Sequence, residues 1–145
     1  MTVLAWDGKT LAADKRATND GYCSTVTKVF RSNDCLIGIS GCLARGHAMY
    51  RWFVAGQDPE KFPKETTDDW ALLLVIFRDG TVWKYESREH PFVIESQPCA
   101  AGSGRDFALM AMHLGHDARR AVELTCELSV ACGNGIDTLA FDDSP

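Results

Sequence analysis

The stretch Thr2-Val3-Leu4-Ala5-Trp6-Asp7-Gly8-Lys9-Thr10-Leu11-Ala12-Ala13-Asp14 sets two short apolar runs on either side of Asp7-Gly8. An Asp-Gly step tolerates the positive φ of a tight turn, so the stretch predicts a β-hairpin. Its register decides which side chains share a face. A three-residue loop, Asp7-Gly8-Lys9, pairs Trp6 with Thr10 and sets Thr2 opposite Asp14. A two-residue loop pairs Trp6 with Lys9 and sets Met1 opposite Asp14 instead. The first register gathers Val3, Ala5, Leu11 and Ala13 on one wholly apolar face, and it is the register expected. Because side chains alternate, a slip of one residue sends the Thr2 hydroxyl to the face away from Asp14.

Beyond the hairpin the pattern stays strand-like. A second strand pair is expected at 26–31 and 35–39, joined by Ser32-Asn33-Asp34. Gly38 and Gly41 precede a helical segment over 43–55, and the polar stretch 58–69, with Pro59 and Pro63, reads as a loop. Strands over 70–77 and 81–86 flank the turn Arg78-Asp79-Gly80, and 92–94 is a further strand. Past Gly102-Ser103-Gly104 the period changes: Phe107, Met110 and Leu114 recur at helical spacing. Gly115 ends that helix. Asp117 caps the next, whose buried stripe would be Ala118, Ala121, Val122, Thr125 and Leu128. A strand over 136–141 closes the series. Helices do not alternate regularly with strands, so the fold class is an α/β (α+β) layered sandwich built on antiparallel sheets rather than a doubly wound parallel sheet. With no repeat, low-complexity tract or linker, residues 1–145 are expected to form one domain.

Composition narrows the function classes. Of 145 residues, 46% are hydrophobic and 24% charged, ordinary values for a globular chain. The net charge of −5, with both signs interspersed, argues against a nucleic-acid partner. The longest apolar run is strand-sized, and the first residues lack a basic segment followed by an apolar one, which together predict a cytoplasmic protein without a membrane segment. The cysteines (Cys23, Cys35, Cys42, Cys99, Cys126 and Cys132) show no C-x-x-C pair and read mostly as free core thiols. His113 and His116 flank Gly115 with no carboxylate or Cys to complete a metal set, so no metal or organic cofactor is expected.

One residue near the start has latent chemistry. Methionine before a small side chain is open to excision, which would make Thr2 N-terminal. Such a threonine carries nucleophile and base together: its hydroxyl attacks a carbonyl while its own α-amine, with an ordinary pKa of about 7.7–8.0, takes the proton. The site also needs a cation beside the amine and hydroxyl, a carboxylate to hold that cation, and N–H groups for the oxyanion.

Five segments in chain order resemble the proteasome β-subunit and bacterial HslV-type family of N-terminal-nucleophile hydrolases. Leu11-Ala-Ala-Asp14-Lys-Arg-Ala-Thr18 is similar to the segment after the first strand, whose Asp supports a catalytic lysine. Thr27-Lys28-Val29 resembles the motif carrying that lysine. Ile37-Gly-Ile-Ser-Gly41 resembles the strand end whose glycine N–H lines the oxyanion hole. Gly102-Ser103-Gly104 resembles the turn whose serine lies near the N-terminal threonine, and Cys132-Gly-Asn-Gly-Ile-Asp137 resembles the loop after the last long helix. The resemblance implies a four-layer αββα sandwich of two antiparallel sheets flanked by helices. It implies a threonine-type endopeptidase acting on peptide or protein substrates through Thr2, with Lys28, Asp14, Gly41 and Ser103 in the roles just given. Ring-like homo-oligomers and an ATPase partner follow from the resemblance alone. The chain departs from the pattern where the family has an aspartate three residues before a serine: here stand Ser129 and Cys132. That departure leaves open a non-catalytic structural or binding subunit of the same fold, and the short chain leaves open an amidohydrolase acting on a small amide.

Overall fold

Strands and helices alternate irregularly along the computed structural model, which describes residues 1–64, 66 and 68–142. Strands β1 (Leu4–Trp6), β2 (Thr10–Asp14), β10 (Cys99–Ala101) and β11 (Ile136–Ala140) form a four-stranded sheet in the order β10-β1-β2-β11. A five-stranded sheet runs β5 (Val29–Ser32), β6 (Cys35–Gly41), β7 (Ala71–Phe77), β8 (Val82–Tyr85), β9 (Phe92–Ile94). Every pairing in both is antiparallel.

The strand sequences explain the layers. In β7 the run Ala71-Leu-Leu-Leu-Val-Ile-Phe77 is apolar on both faces. Leu72, Leu74 and Ile76 pack inward against Leu4, Trp6 and Leu11 of the other sheet. Leu73 and Val75 point outward, onto Met49 and Phe53 of helix α1 (Leu43–Val54). The four-stranded sheet turns Val3, Ala5 and Ala12 toward helices α2 (Arg105–His113) and α3 (Ala118–Leu128), which meet them with Ala108, Ala121 and Val122. The order of layers is therefore α1, five-stranded sheet, four-stranded sheet, α2 with α3: an αββα sandwich. Leu4 comes so close to β6 that a Cβ on Gly38 would sit 3.0 Å from its Cδ1. No described helix is long and apolar enough to cross a membrane.

The first hairpin has a different register from the one expected. Trp6 pairs with Leu11, Ala5 with Ala12 and Leu4 with Ala13. Four residues, Asp7 to Thr10, separate the paired Trp6 and Leu11, one more than the turn residues suggested, and Thr10 already pairs with Ala140 as the first residue of β2. Asp7 is the cause: its Oδ1 accepts from Lys9 N at 2.8 Å and Thr10 N at 2.7 Å, a side-chain turn that draws Thr10 into the loop closure. Its Oδ2 accepts from Ala118 N at 2.8 Å, tying the loop to the start of α3. The apolar faces become Leu4, Trp6, Leu11 and Ala13 on one side and Val3, Ala5 and Ala12 on the other.

Other features also differ from the sequence reading. A small hairpin, β3 (Arg16–Asn19) and β4 (Tyr22–Thr25), turns on Asp20-Gly21 with φ of 52° and 78°. Both positive angles suit a type I′ turn, but β4 is exposed throughout and so shows no apolar alternation. Strand β10 is three residues long, too short to carry a period. On α2 the residues facing the sheet are Ala108, Ala111 and Met112, while Phe107, Met110 and Leu114 are exposed. Helical spacing identifies a stripe and not the direction it faces; here small alanines let the helix lie close on the sheet. Leu128, at the last turn of α3, is exposed as well. The stretch 58–69 contains a single 3-10 turn, Pro59–Lys61, and its residues 65 and 67 lie outside the described residues.

Leu74→Ala removes a buried side chain from the layer between the sheets. A loss of about 2–5 kcal/mol is expected in urea-denaturation midpoints, with the slope unchanged.

Candidate active site

Asp14 ends β2 and is fully buried, at 0% exposure. A carboxylate in that position must find donors, and it finds them in four segments of the chain. Oδ1 accepts from Val3 N at 3.1 Å and from Lys28 Nζ at 2.9 Å. Oδ2 accepts from Arg16 N at 3.2 Å and Gly133 N at 3.1 Å. Lys28 immediately precedes β5, and its carbonyl accepts from Ile39 N at 2.9 Å, so the β5–β6 ladder fixes its backbone. Its side chain is 1% exposed and forms a buried ion pair with Asp14. The same Nζ donates to the Met1 carbonyl at 3.0 Å.

The N-terminal residues lie in the opening between the two sheets. Met1 is 58% exposed, whereas Thr2 is 1% exposed. The Thr2 N–H donates to Ser103 Oγ at 3.2 Å, and the Thr2 carbonyl accepts from Gly104 N at 3.1 Å. Gly102, with φ of 92°, leads the chain across this contact: a Cβ there would lie 2.2 Å from the Thr2 carbonyl oxygen. Ser103 is thus held against the N-terminus and does not cap α2, whose N-cap is Gly104.

With the shifted register Asp14 lies opposite Val3, exchanging backbone and side-chain bonds with it, and strict alternation would put Thr2 on the other face. Thr2 precedes β1, however, and is outside that ladder. Lys28, bonded to Asp14, reaches the Met1 carbonyl that precedes Thr2, so the connection runs through that bridge and not through a shared face. Gly41 ends β6 with φ of 93°, and a Cβ there would meet the Trp70 carbonyl at 2.4 Å, so no other residue fits without moving β7. Two cavities flank the N-terminus and share Met1 and Gly41. One, of about 460 Å³, is also lined by Thr2, Arg16, Ala17 and Lys28. The other, of about 600 Å³, is also lined by Trp70, Lys84, Ser103 and Arg105. Thr2, Lys28, Gly41 and Ser103 accordingly line these two adjoining cavities, and the fully buried Asp14 stands behind Lys28.

Ser129 and Cys132 are placed differently. Ser129 is the C-cap of α3, and its Oγ accepts from Ala131 N at 3.3 Å. Cys132 is buried beside Gly104 and Val3, below the N-terminus. Burial, then the charge of Asp14, pushes its thiol pKa up, while Lys28, a hydrogen bond from Ser129 and the N-terminal charge pull the other way. A thiol held protonated is a packing group, not a nucleophile. Sequence reasoning missed the Gly133 and Arg16 amides that complete the Asp14 shell. The Cys132-Gly-Asn-Gly motif marked their loop, but main-chain donors leave no side-chain signature. Asn134 locks the loop, accepting from Arg16 Nε at 3.0 Å and donating to Ser24 O at 3.2 Å.

No protein-family model and no curated protein matches this sequence. Among solved structures the chain is similar to Thiobacillus denitrificans BPH in complex with epoxomicin, with a TM-score of 0.73 and 17% sequence identity, covering 100% of both chains. That likeness is one of fold, over the full length of both chains, and it agrees with the αββα layering described above.

Asp14→Asn leaves Lys28 buried without its counter-charge. The variant is expected to lose about 3–5 kcal/mol in equilibrium unfolding. Thiol alkylation of the native protein at pH 8 should label exposed Cys23 first. Cys132 and Cys99, the latter pushed by burial to about 11, should react slowest, as read by peptide mass mapping.

Proposed function

We propose that this chain is a threonine-type peptidase that hydrolyses peptide bonds through Thr2, made N-terminal by removal of Met1. One observation carries the proposal. The Met1–Thr2 peptide unit is gripped at both ends, its carbonyl by Lys28 at 3.0 Å and its N–H by Ser103 at 3.2 Å. Removing Met1 turns that N–H into a primary amine beside Ser103 and frees the Lys28 ammonium to face Thr2.

The chemistry then follows from the neighbours. The Thr2 hydroxyl attacks the substrate carbonyl as its proton passes to the α-amine, with Ser103 in hydrogen-bond contact to relay it. The Gly41 N–H receives the oxyanion. Collapse breaks the C–N bond; the α-ammonium protonates the departing amine, leaving an ester on Thr2. Water, deprotonated by the same amine, hydrolyses the ester and regenerates the hydroxyl. Asp14 positions Lys28 throughout and touches no reacting atom. Ser129 bonds locally and Cys132 packs beneath, so orientation of the amine falls to Ser103. No cofactor enters these steps. Homo-oligomeric rings, an HslV-like ATPase partner and a cytoplasmic setting belong to the same proposal, as does a single domain over 1–145.

A second reading is a non-catalytic subunit of the same fold. The Met1 carbonyl favours it, because a retained Met1 occupies the Lys28 ammonium. Intact mass separates the two: the peptidase reading expects loss of the Met1 mass in the native host, and quantitative retention would overturn it. Protein lacking Met1 is expected to cleave peptide reporters and to be inhibited by epoxomicin, the ligand of the similar structure. Thr2→Ala should lower kcat/KM by about a thousandfold or more, and Ser103→Ala should lower kcat by about a hundredfold.

A further inference from the structure

The 600 Å³ cavity on the Ser103 side of the N-terminus has a chemistry that peptide-bond cleavage by itself does not require. Its floor is apolar, from Trp70, Leu72 and Ala101, and its charged lining is Lys84 and Arg105; no carboxylate is among the described lining residues. One cation comes from the five-stranded sheet and the other from the helix that follows β10. On β8, Lys84 shares a strand face with Val82, which packs in the layer between the sheets. A lysine on that face must reach for the open end of the layer. It comes near enough to β10 to lower the pKa of Cys99 against the rise from burial. Arg105 opens α2 and is held by its Nη1 bond to the Gly102 carbonyl at 3.1 Å, one residue from Ser103.

Neither charge is fully spent on a neighbour. Lys84 Nζ stands 3.6 Å from Glu86 Oε2 and 5.7 Å from the centroid of Phe92. Arg105 Nε stands 3.9 Å from Asp106 Oδ1. Both acids lie outside the cavity lining, and both contacts are long for charge-assisted hydrogen bonds.

We infer that this cavity is an anion-reading subsite, in which Lys84 and Arg105 bind a carboxylate of the substrate close to the bond that is cleaved. The carboxylate is either an acidic side chain or the substrate's own C-terminus, and the apolar floor takes the carbon chain that bears it. Lys84 and Arg105 are specificity-determining residues and take no part in bond cleavage. The inference rests on the hydrolase reading for its substrate, and binding tests it without turnover.

The experiment uses Thr2→Ala protein and fluorescently labelled peptides in three forms: one with an internal Glu and an amidated end, one without Glu but with a free C-terminal carboxylate, and a Gln-containing amide control. Fluorescence anisotropy is expected to show one of the two acidic forms binding about tenfold tighter than the control, the typical advantage of charge-assisted over neutral contacts. Which form it is identifies the source of the carboxylate. The preference should shrink as salt is raised, because both cations are partly exposed. Lys84→Gln and Arg105→Gln should each reduce it several-fold while leaving control binding unchanged, with far-UV circular dichroism verifying the fold. Should either variant misfold, the salt and peptide series on the parent protein still decide the matter.

Equal binding of all three peptides, or a preference that survives both substitutions, overturns the inference. Turnover assays with Met1-free wild type keep the two proposals apart. Cleavage of acidic and neutral reporters at equal kcat/KM removes the subsite and leaves the peptidase. Selective binding without any cleavage removes the peptidase and leaves the subsite.

Discussion

The Asp14 carboxylate, itself fully buried, draws the Val3 amide, the Arg16 amide, the Gly133 amide and the Lys28 ammonium onto two oxygens. Those donors come from the residue before β1, the first residue of β3, the loop after α3 and the approach to β5. Four segments distant in sequence therefore meet at one charge. A buried carboxylate with fewer partners would be costly, so each donor stabilises the positions of the other three. Lys28 is the member with a free face: one direction satisfies Asp14, and the other reaches the Met1 carbonyl. The site at the N-terminus is an extension of this structural knot.

Sandwich geometry determines where the knot opens. The two sheets close on each other through Leu4, Trp6, Leu11 and their partners in β7, leaving the N-terminal end of β1 at the mouth of the layer. There β6 ends at Gly41, and Gly102-Ser103 crosses over Thr2. Both glycines are required by close backbone approach, Gly41 to Trp70 and Ala71 and Gly102 to the Thr2 carbonyl. Burial of Thr2 beside exposed Met1 follows from the same crowding.

The departure at Ser129 and Cys132 has a local account. Ser129 serves the end of α3 and the turn after it, and Cys132 fills space against Gly104 and Val3. Neither presents a carboxylate near the N-terminus. The polar groups that do contact Thr2 are the Ser103 hydroxyl and the Gly104 amide. A site built this way relies on α2 and its preceding turn for alignment, which explains why the Gly-Ser-Gly segment is so tightly constrained.

Much of the fold was legible from residues 2–14, since an apolar pair of runs around Asp7-Gly8 forms a hairpin in any context. The apolar run 70–77 likewise announced a strand, and Asp117 marked the start of α3. What local sequence could not decide was direction and register. Asp7 lengthened the first loop through its own side chain, Phe107, Met110 and Leu114 turned outward because the alanines of α2 pack closer, and the polar β4 had no period to read. Thr2 was nameable in advance from the chemistry of an N-terminal hydroxyl and amine, whereas Asp14, Lys28, Gly41 and Ser103 were nameable through the resemblance of their segments to N-terminal-nucleophile hydrolases. Their joining through Lys28, and the Gly133 and Arg16 amides that anchor it, belong to the tertiary structure alone, because main-chain donors are identical at every residue and only folding chooses which of them meet a buried charge.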